Sequence, residues 1–260
     1  MKVDYFVFSG TGNTMLIARR IGDRFKENGY EVNYHAIELG MEVKIDSDTT
    51  VGLAFPIAFF SSYPVVLDFI ASLPNGGGRK IFMSASMGGM GMGVEGKIRQ
   101  MVKSKGYKPI GAELFLMPGN YNNAVIPFAR NRELVATAMK KCDAFAAAIV
   151  KGSSRWGRGI PVIPSMWKGL VHSGRALRFF YRMFPIQIDM SKCVKCMRCL
   201  ENCPVHAIER NAETLFIRVD KCQSCQRCVA FCPQHAIVVQ GKPAAQYRAL
   251  EFEEFKSLKS

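Results

Sequence analysis

Apolar residues in the first two thirds of the chain fall in short continuous blocks rather than in alternation. Val3 to Phe8 (VDYFVF) is broken only by Asp4, and Thr49 to Phe55 and Lys80 to Ala85 are built in the same way. Short runs that stay apolar on both faces suit strands buried inside a parallel sheet. With Tyr30 to His35 and Ile110 to Met117 they predict five strands. Between them the period changes to that of a helix, first at Met15, Leu16, Ile17, Ala18 and Ile21. Helices are expected near residues 14–28, 64–72, 93–105 and 129–151, and the alternation of the two element types predicts an α/β domain. In the last helix Leu134, Ala138, Cys142, Phe145 and Ile149 mark the buried side, where Cys142 reads as a small hydrophobe.

The first strand runs into Ser9-Gly10-Thr11-Gly12-Asn13-Thr14, and the first helix starts at once. Such a turn aims backbone N–H groups and hydroxyls at one point, at the positive end of a helix. That arrangement is a phosphate cradle; the plainer alternative is a tight strand-to-helix turn. It is not a P-loop, which needs Gly-Lys-Ser/Thr, nor a G-x-G-x-x-G fingerprint, because the residue three after Gly12 is Met15. No Lys or Arg lies between Asp4 and Arg19, so a bound phosphate would be met without a nearby basic side chain.

The last third is organised by cysteine. Eight of the 9 cysteines form two copies of C-x2-C-x2-C-x3-C-P, Cys193, Cys196, Cys199, Cys203 and then Cys222, Cys225, Cys228, Cys232. The offset is 29 residues at both ends of the repeat, and His206-Ala207-Ile208 recurs as His235-Ala236-Ile237. Three thiolates on a tight loop can each reach one iron of a [4Fe–4S] cube, while the fourth iron is met from elsewhere. Zinc sites favour paired C-x2-C separated by long gaps. A disulfide framework belongs to secreted chains, and this N-terminus has none of the features of a secretion signal.

Charge adds one further segment. The formal net charge is +14, with 17 basic and 13 acidic residues in 1–150 but 18 and 8 in 151–260. Two oxidised cubes and a bound phosphate monoester would lower the total to about +8. Lys151 to Arg182 holds seven basic residues and no acidic one. Within it Met166, Leu170, Leu177, Phe180, Tyr181 and Phe184 share one helical side, opposite Lys168, Arg175, Arg178 and Arg182. This basic amphipathic helix either joins two domains with its charges merely solvated, meets an acidic redox protein, or rests on an anionic membrane surface. No apolar run approaches the ~20 residues of a membrane span. A cytoplasmic location is expected, and with no base-stacking or groove-reading motif no nucleic acid is expected as a partner.

The cysteine repeat resembles that of bacterial two-cluster ferredoxins, and the Ser9–Thr14 turn with its strand order resembles the flavodoxins. Together they resemble the fusion family in which a flavodoxin-like domain precedes a two-cluster ferredoxin domain. The resemblance implies a doubly wound parallel sheet of order 2-1-3-4-5 with ligands at the carboxyl ends of its strands, followed by a small α+β ferredoxin domain. The implied division is 1–151 for the flavodoxin-like part, 152–184 for the basic linker helix, 185–241 for the ferredoxin part and 242–260 for a tail. The implied cofactors are FMN and two [4Fe–4S] clusters. Cross-ligation is implied as well: Cys232 joins Cys193, Cys196 and Cys199, while Cys203 joins Cys222, Cys225 and Cys228.

FMN would be held at Ser9, Gly10, Thr11, Gly12, Asn13 and Thr14. Its ring would lie between the loop from Pro56 to Tyr63, with Phe59, Phe60 or Tyr63 against it, and the loop of Ser86, Met87, Gly88 and Gly89. Asn120 and Tyr121 beyond strand 5 are further candidates. No glycine lies between Pro56 and Tyr63, where flavodoxins have one. The implied function is intracellular electron transfer with an acidic ferredoxin or flavodoxin as partner. The alternative is a flavin-dependent reductase of a quinone or nitro compound, fed through the clusters.

Overall fold

The computed structural model describes residues 1–58, 61–91, 93–119, 128–157, 179, 181–244 and 246–256. Five parallel strands form the first sheet: β1 Lys2–Val7, β2 Glu31–Ala36, β3 Thr49–Pro56, β4 Lys80–Met87 and β5 Lys108–Leu116. Their order is β2-β1-β3-β4-β5. The central strands are buried on both faces, which is why they read as unbroken apolar runs, whereas β2 and β5 at the edges are half-buried.

Helices cover both faces. Helix α1 (Asn13–Glu27) and α4 (Phe128–Val150) pack on one side, where Val3, Tyr5, Val7, Ile17, Ile21, Phe82, Phe115, Cys142 and Phe145 form a core. Cys142 is fully buried there, as its place on the apolar stripe predicts. Asp143, beside it, receives Arg20 at 2.6 Å and Arg24 at 2.8 Å, which ties the two helices at their rim. On the other side α2 (Pro64–Ser72) and α3 (Val94–Ser104) enclose Phe6, Phe8, Leu53, Phe55, Val66 and Ile98.

The second unit is built from very short elements. Strand β6 (Ile186–Ile188) pairs antiparallel with β9 (Ile237–Val239), β9 with β10 (Lys242–Pro243), and β7 (Ile208–Arg210) with β8 (Leu215–Ile217). Two small helices, α5 (Arg198–Glu201) and α6 (Arg227–Phe231), carry the third cysteine of each run. A final helix, α7 (Phe252–Lys256), buries Phe255 against Ala230 and Phe231. Tyr181, Val205 and Ala207 belong to the same core as α2 and β3, so the second unit sits on that side of the sheet. Most of the basic amphipathic segment, residues 158–178 and Phe180, lies outside the described residues; Tyr181 is buried and Phe179 exposed.

Candidate functional site

The turn after β1 gathers the loops at the carboxyl edge of the sheet. Gly12 adopts φ 98°, a left-handed conformation open to glycine, and caps α1 without a side-chain hydrogen bond. The first turn of α1 holds no acidic residue, so its amides face outward with their partial positive charge uncompensated by a carboxylate. The Gly12 amide donates to Ser9 Oγ at 3.2 Å, and the Thr14 hydroxyl lies 2.8 Å from that of Ser86 at the end of β4. Asn13 Nδ2 donates to the Pro118 carbonyl at 2.8 Å, beyond β5. Ser9, Thr11, Asn13 and Thr14 are all buried. Three hydroxyls, a run of amides and an uncapped helix end suit a phosphate monoester, and the residues present fit that group.

The remaining predicted loops converge on the same edge. Ile57 N donates to Ser86 O at 2.7 Å, and Met117 N to Met87 O at 2.9 Å. Pro56 O accepts the Ser62 hydroxyl at 3.1 Å. Ala58 and Ser61 exchange two backbone hydrogen bonds around Phe59 and Phe60, which lie outside the described residues, as do Asn120 and Tyr121. Gly88 and Gly89 are exposed, and Gly88 faces Gly119. Tyr63 is turned inward instead of toward this edge: its ring meets Phe8 at 5.1 Å and stacks on Tyr181 at 5.2 Å.

The cysteines surround two separate cavities. One, with about 350 Å³ of atom-free space including its open mouth, is lined by Cys193, Cys196, Cys199 and Cys232. The other, of about 330 Å³, is lined by Cys203, Cys222, Cys225 and Cys228. Each cavity therefore takes three cysteines from one run and the last cysteine of the other. Among the described residues no three His, Cys, Asp or Glu side chains close on a single point as one metal ion would require.

Backbone geometry repeats with the sequence. Lys195 and Ser224, Met197 and Gln226, and His206 and His235 form three pairs 29 residues apart, and all six have positive φ between 49° and 64°. Left-handed residues inside a loop turn successive amides inward, a concavity that suits anions and Fe–S sites. Amides of Ala207, Ala236 and Ser224 donate to the sulfurs of Cys203, Cys232 and Cys222 at 3.2, 3.3 and 3.4 Å. Burial pushes the Cys199 thiol up to about 11 and the Cys225 thiol up to about 12, the latter opposed by the nearby Arg227 charge. The Cys228 thiol is raised as well, again by burial. Thiols placed so become ligands when a metal centre supplies the compensating positive charge, and the donor sets fit a pair of cubes.

The two halves of the site touch. A Cβ on Gly10 would lie 3.2 Å from the Cys225 carbonyl carbon and closer still to its oxygen. Leu39 N donates to Pro204 O at 2.8 Å, and Val65 N to Gln223 Oε1 at 3.1 Å. The tail crosses over both parts: Ala249 N donates to Thr11 O at 2.8 Å, Tyr247 Oη to Asn13 Oδ1 at 2.6 Å, and Gln246 Nε2 to Cys232 O at 2.6 Å. Neither this strap nor Arg227, whose Nε donates to Ser9 O at 3.1 Å, was expected from the pattern. For Arg227 a signal exists, since the repeat offset pairs it with Arg198, so each run carries Arg just before its third cysteine.

Residues 185–233 match the family model of a 4Fe-4S dicluster domain. No curated protein sequence matches the chain. Among solved structures, a flavodoxin from the domain Archaea is 17% identical over 59% of this chain and 99% of its own, with a TM-score of 0.42. A Streptococcus pneumonia TIGR4 flavodoxin is 15% identical over 57% and 99%, at 0.39. General stress protein 14 of Treponema denticola, in complex with FMN, has the same identity, coverage and score. The strand order and the glycine–hydroxyl turn define the first unit as flavodoxin-like. A unit of that fold is thus followed in the same chain by a match to a 4Fe-4S dicluster domain.

Proposed function

We propose that the protein is an electron carrier holding FMN at the Ser9–Thr14 turn and two [4Fe–4S] clusters in the two four-cysteine cavities. The ligand sets are Cys193, Cys196, Cys199 and Cys232 for one, and Cys203, Cys222, Cys225 and Cys228 for the other. A flavin exchanges electrons singly or in pairs and a cube singly, so together they link one-electron and two-electron carriers. What supports this most is the contact of the Cys225 backbone with Gly10, which puts one cavity directly behind the phosphate turn. Ser9, Thr11 and Thr14 would bind the phosphate, Ser86 to Gly89 the polar ring edge, and the Gln246–Leu250 strap would shield the turn from water.

The partner we propose is an acidic ferredoxin or flavodoxin, meeting the basic segment Lys151 to Arg182 in the cytoplasm. Among the described residues no helix is long and apolar enough to cross a membrane. The test is anaerobic reduction by a low-potential donor, followed by a panel of protein and small-molecule acceptors. Fast reoxidation by an acidic ferredoxin or flavodoxin, with quinones and nitro compounds reduced only slowly and without saturation, is the expected outcome. Saturable turnover of a quinone or nitro compound would make the protein a reductase.

A further inference from the structure

The largest fully buried side chain among the described residues is a cation. Arg227 is 2% exposed and lines the cavity of Cys203, Cys222, Cys225 and Cys228. Its guanidinium is held from three distant parts of the chain. Nε donates to Ser9 O at 3.1 Å, and Nη1 donates to Glu38 Oε1 at 2.8 Å and to Asn202 O at 3.0 Å. Its faces are covered by Phe8 at 5.6 Å and Phe255 at 4.9 Å. An Arg buried without a counter-ion is very costly, so Glu38, at the exit of β2, is required by the same arrangement.

The repeat supplies an internal control. Arg198 occupies the corresponding position beside the other cavity, yet it is only partly buried and lies over Phe252 at 4.7 Å. The two cavities are alike in their crossed cysteine sets and their left-handed backbone pairs, and unlike in the Arg227 guanidinium, which is buried and paired with a half-buried Glu38. In a low-dielectric setting such a charge acts strongly on its neighbours, whereas Arg198 is screened by water.

We infer that Arg227 is a positioning residue that, with Glu38, locks the Cys222–Cys228 loop onto the Ser9–Gly10 turn and sets the charge at the Cys203/Cys222/Cys225/Cys228 site. The inference rests on the reading of that cavity as a cluster site. A cube there gains one electron and no proton on reduction, becoming more negative by one, so Arg227 favours its reduced state and Glu38 opposes it. The two clusters are then unequal: the inner one, against the flavodoxin-like unit, takes its electron in an environment set by this pair, and the outer one does not.

The test is a redox titration of the anaerobic holoprotein and of Arg227→Gln, Arg227→Lys, Glu38→Gln and Arg198→Gln, with dithionite as electron donor through dye mediators. The contact-shifted cysteine β-protons distinguish the two clusters. Arg227→Gln should disfavour electron occupancy of the inner cluster by about tenfold, equivalent to ~59 mV for a one-electron couple. Glu38→Gln should shift it in the opposite direction, Arg227→Lys should return it toward wild type, and Arg198→Gln should leave it in place. Shifts of the same sign in Arg227→Gln and Glu38→Gln, or equal shifts of both clusters, would overturn the inference, because a purely packing role has no sign. If Arg227→Gln does not fold, Glu38→Gln decides alone by the direction of its shift. A wild-type protein without a cluster at Cys203, Cys222, Cys225 and Cys228 would instead overturn the site reading itself, and iron content reports that separately.

Discussion

Gly10→Ala places one methyl group between the two units. The new Cβ would sit 3.2 Å from the Cys225 carbonyl carbon and overlap its oxygen, and both sides of that contact are backbone. Neither side is free to withdraw. The turn is held by Arg227 Nε on Ser9 O at 3.1 Å, and the cysteine loop by Gln223 Oε1 on the Val65 amide at 3.1 Å. Overpacking of this kind costs about 1–3 kcal/mol. If the units part, the bond from Arg227 to Ser9 is lost as well, at about 1.5–3 kcal/mol for a charged donor. The total of roughly 2–6 kcal/mol is a large share of an ordinary stability of about 5–15 kcal/mol. At about 2–4 °C per kcal/mol for chains near this size, the apparent midpoint should fall by about 4–24 °C. Calorimetry of the anaerobic holoprotein measures the midpoint, and limited proteolysis between residues 151 and 184 reports separation of the units. An unchanged midpoint together with unchanged proteolysis would refute the contact between the cysteine loop and the phosphate turn.

Cys203→Ala should damage the cluster of Cys222, Cys225 and Cys228 and spare its own sequence neighbours; spectroscopy that placed the loss at Cys193, Cys196 and Cys199 would establish sequential ligation. Hydrogen bonds from Arg20 and Arg24 hold the Asp143 carboxyl down at about 2, against an ordinary value of 3.8. A carboxyl depressed in the folded state stabilises above its unfolded value, so wild type should exceed Asp143→Asn by a constant margin from pH 7 to about pH 4. The margin should shrink only as the pH falls toward 2, and urea midpoints of the apoprotein across that range check it. Changing Lys168, Arg175, Arg178 and Arg182 together to Gln should slow electron exchange with an acidic ferredoxin at low salt and flatten its salt dependence. The same rate and slope in both proteins would mean that this face is only solvated.

The elements were legible where burial leaves a periodic mark. Strands β1, β3 and β4 are buried on both faces and read as apolar blocks to within a few residues, and α4 shows its buried stripe through Ala138, Cys142 and Phe145. The sheet order came from the resemblance to flavodoxins and is the order found. The eight cysteines were legible because a repeat compares a sequence with itself; their crossed grouping came only from the resemblance to two-cluster ferredoxins, and each cavity is lined by three cysteines of one run and the last of the other. Contacts between units leave no such mark. Arg227 and Glu38 are 189 residues apart, and Tyr247 and Asn13 are 234 apart, each a single side chain with no period around it. Of the three aromatics offered for the ring, Phe59, Phe60 or Tyr63, the last lies between Phe8 and Tyr181, and no local pattern signals that.

The cofactor content of a single chain is the most direct test of two clusters and one FMN. Protein purified without oxygen and analysed for iron, sulfide, zinc and released flavin should contain about eight iron atoms and about one FMN per chain. Iron near four with zinc in the remaining sites would contradict the two-cluster claim, and recovery of FAD in place of FMN would contradict the reading of the Ser9–Thr14 turn as a monophosphate site.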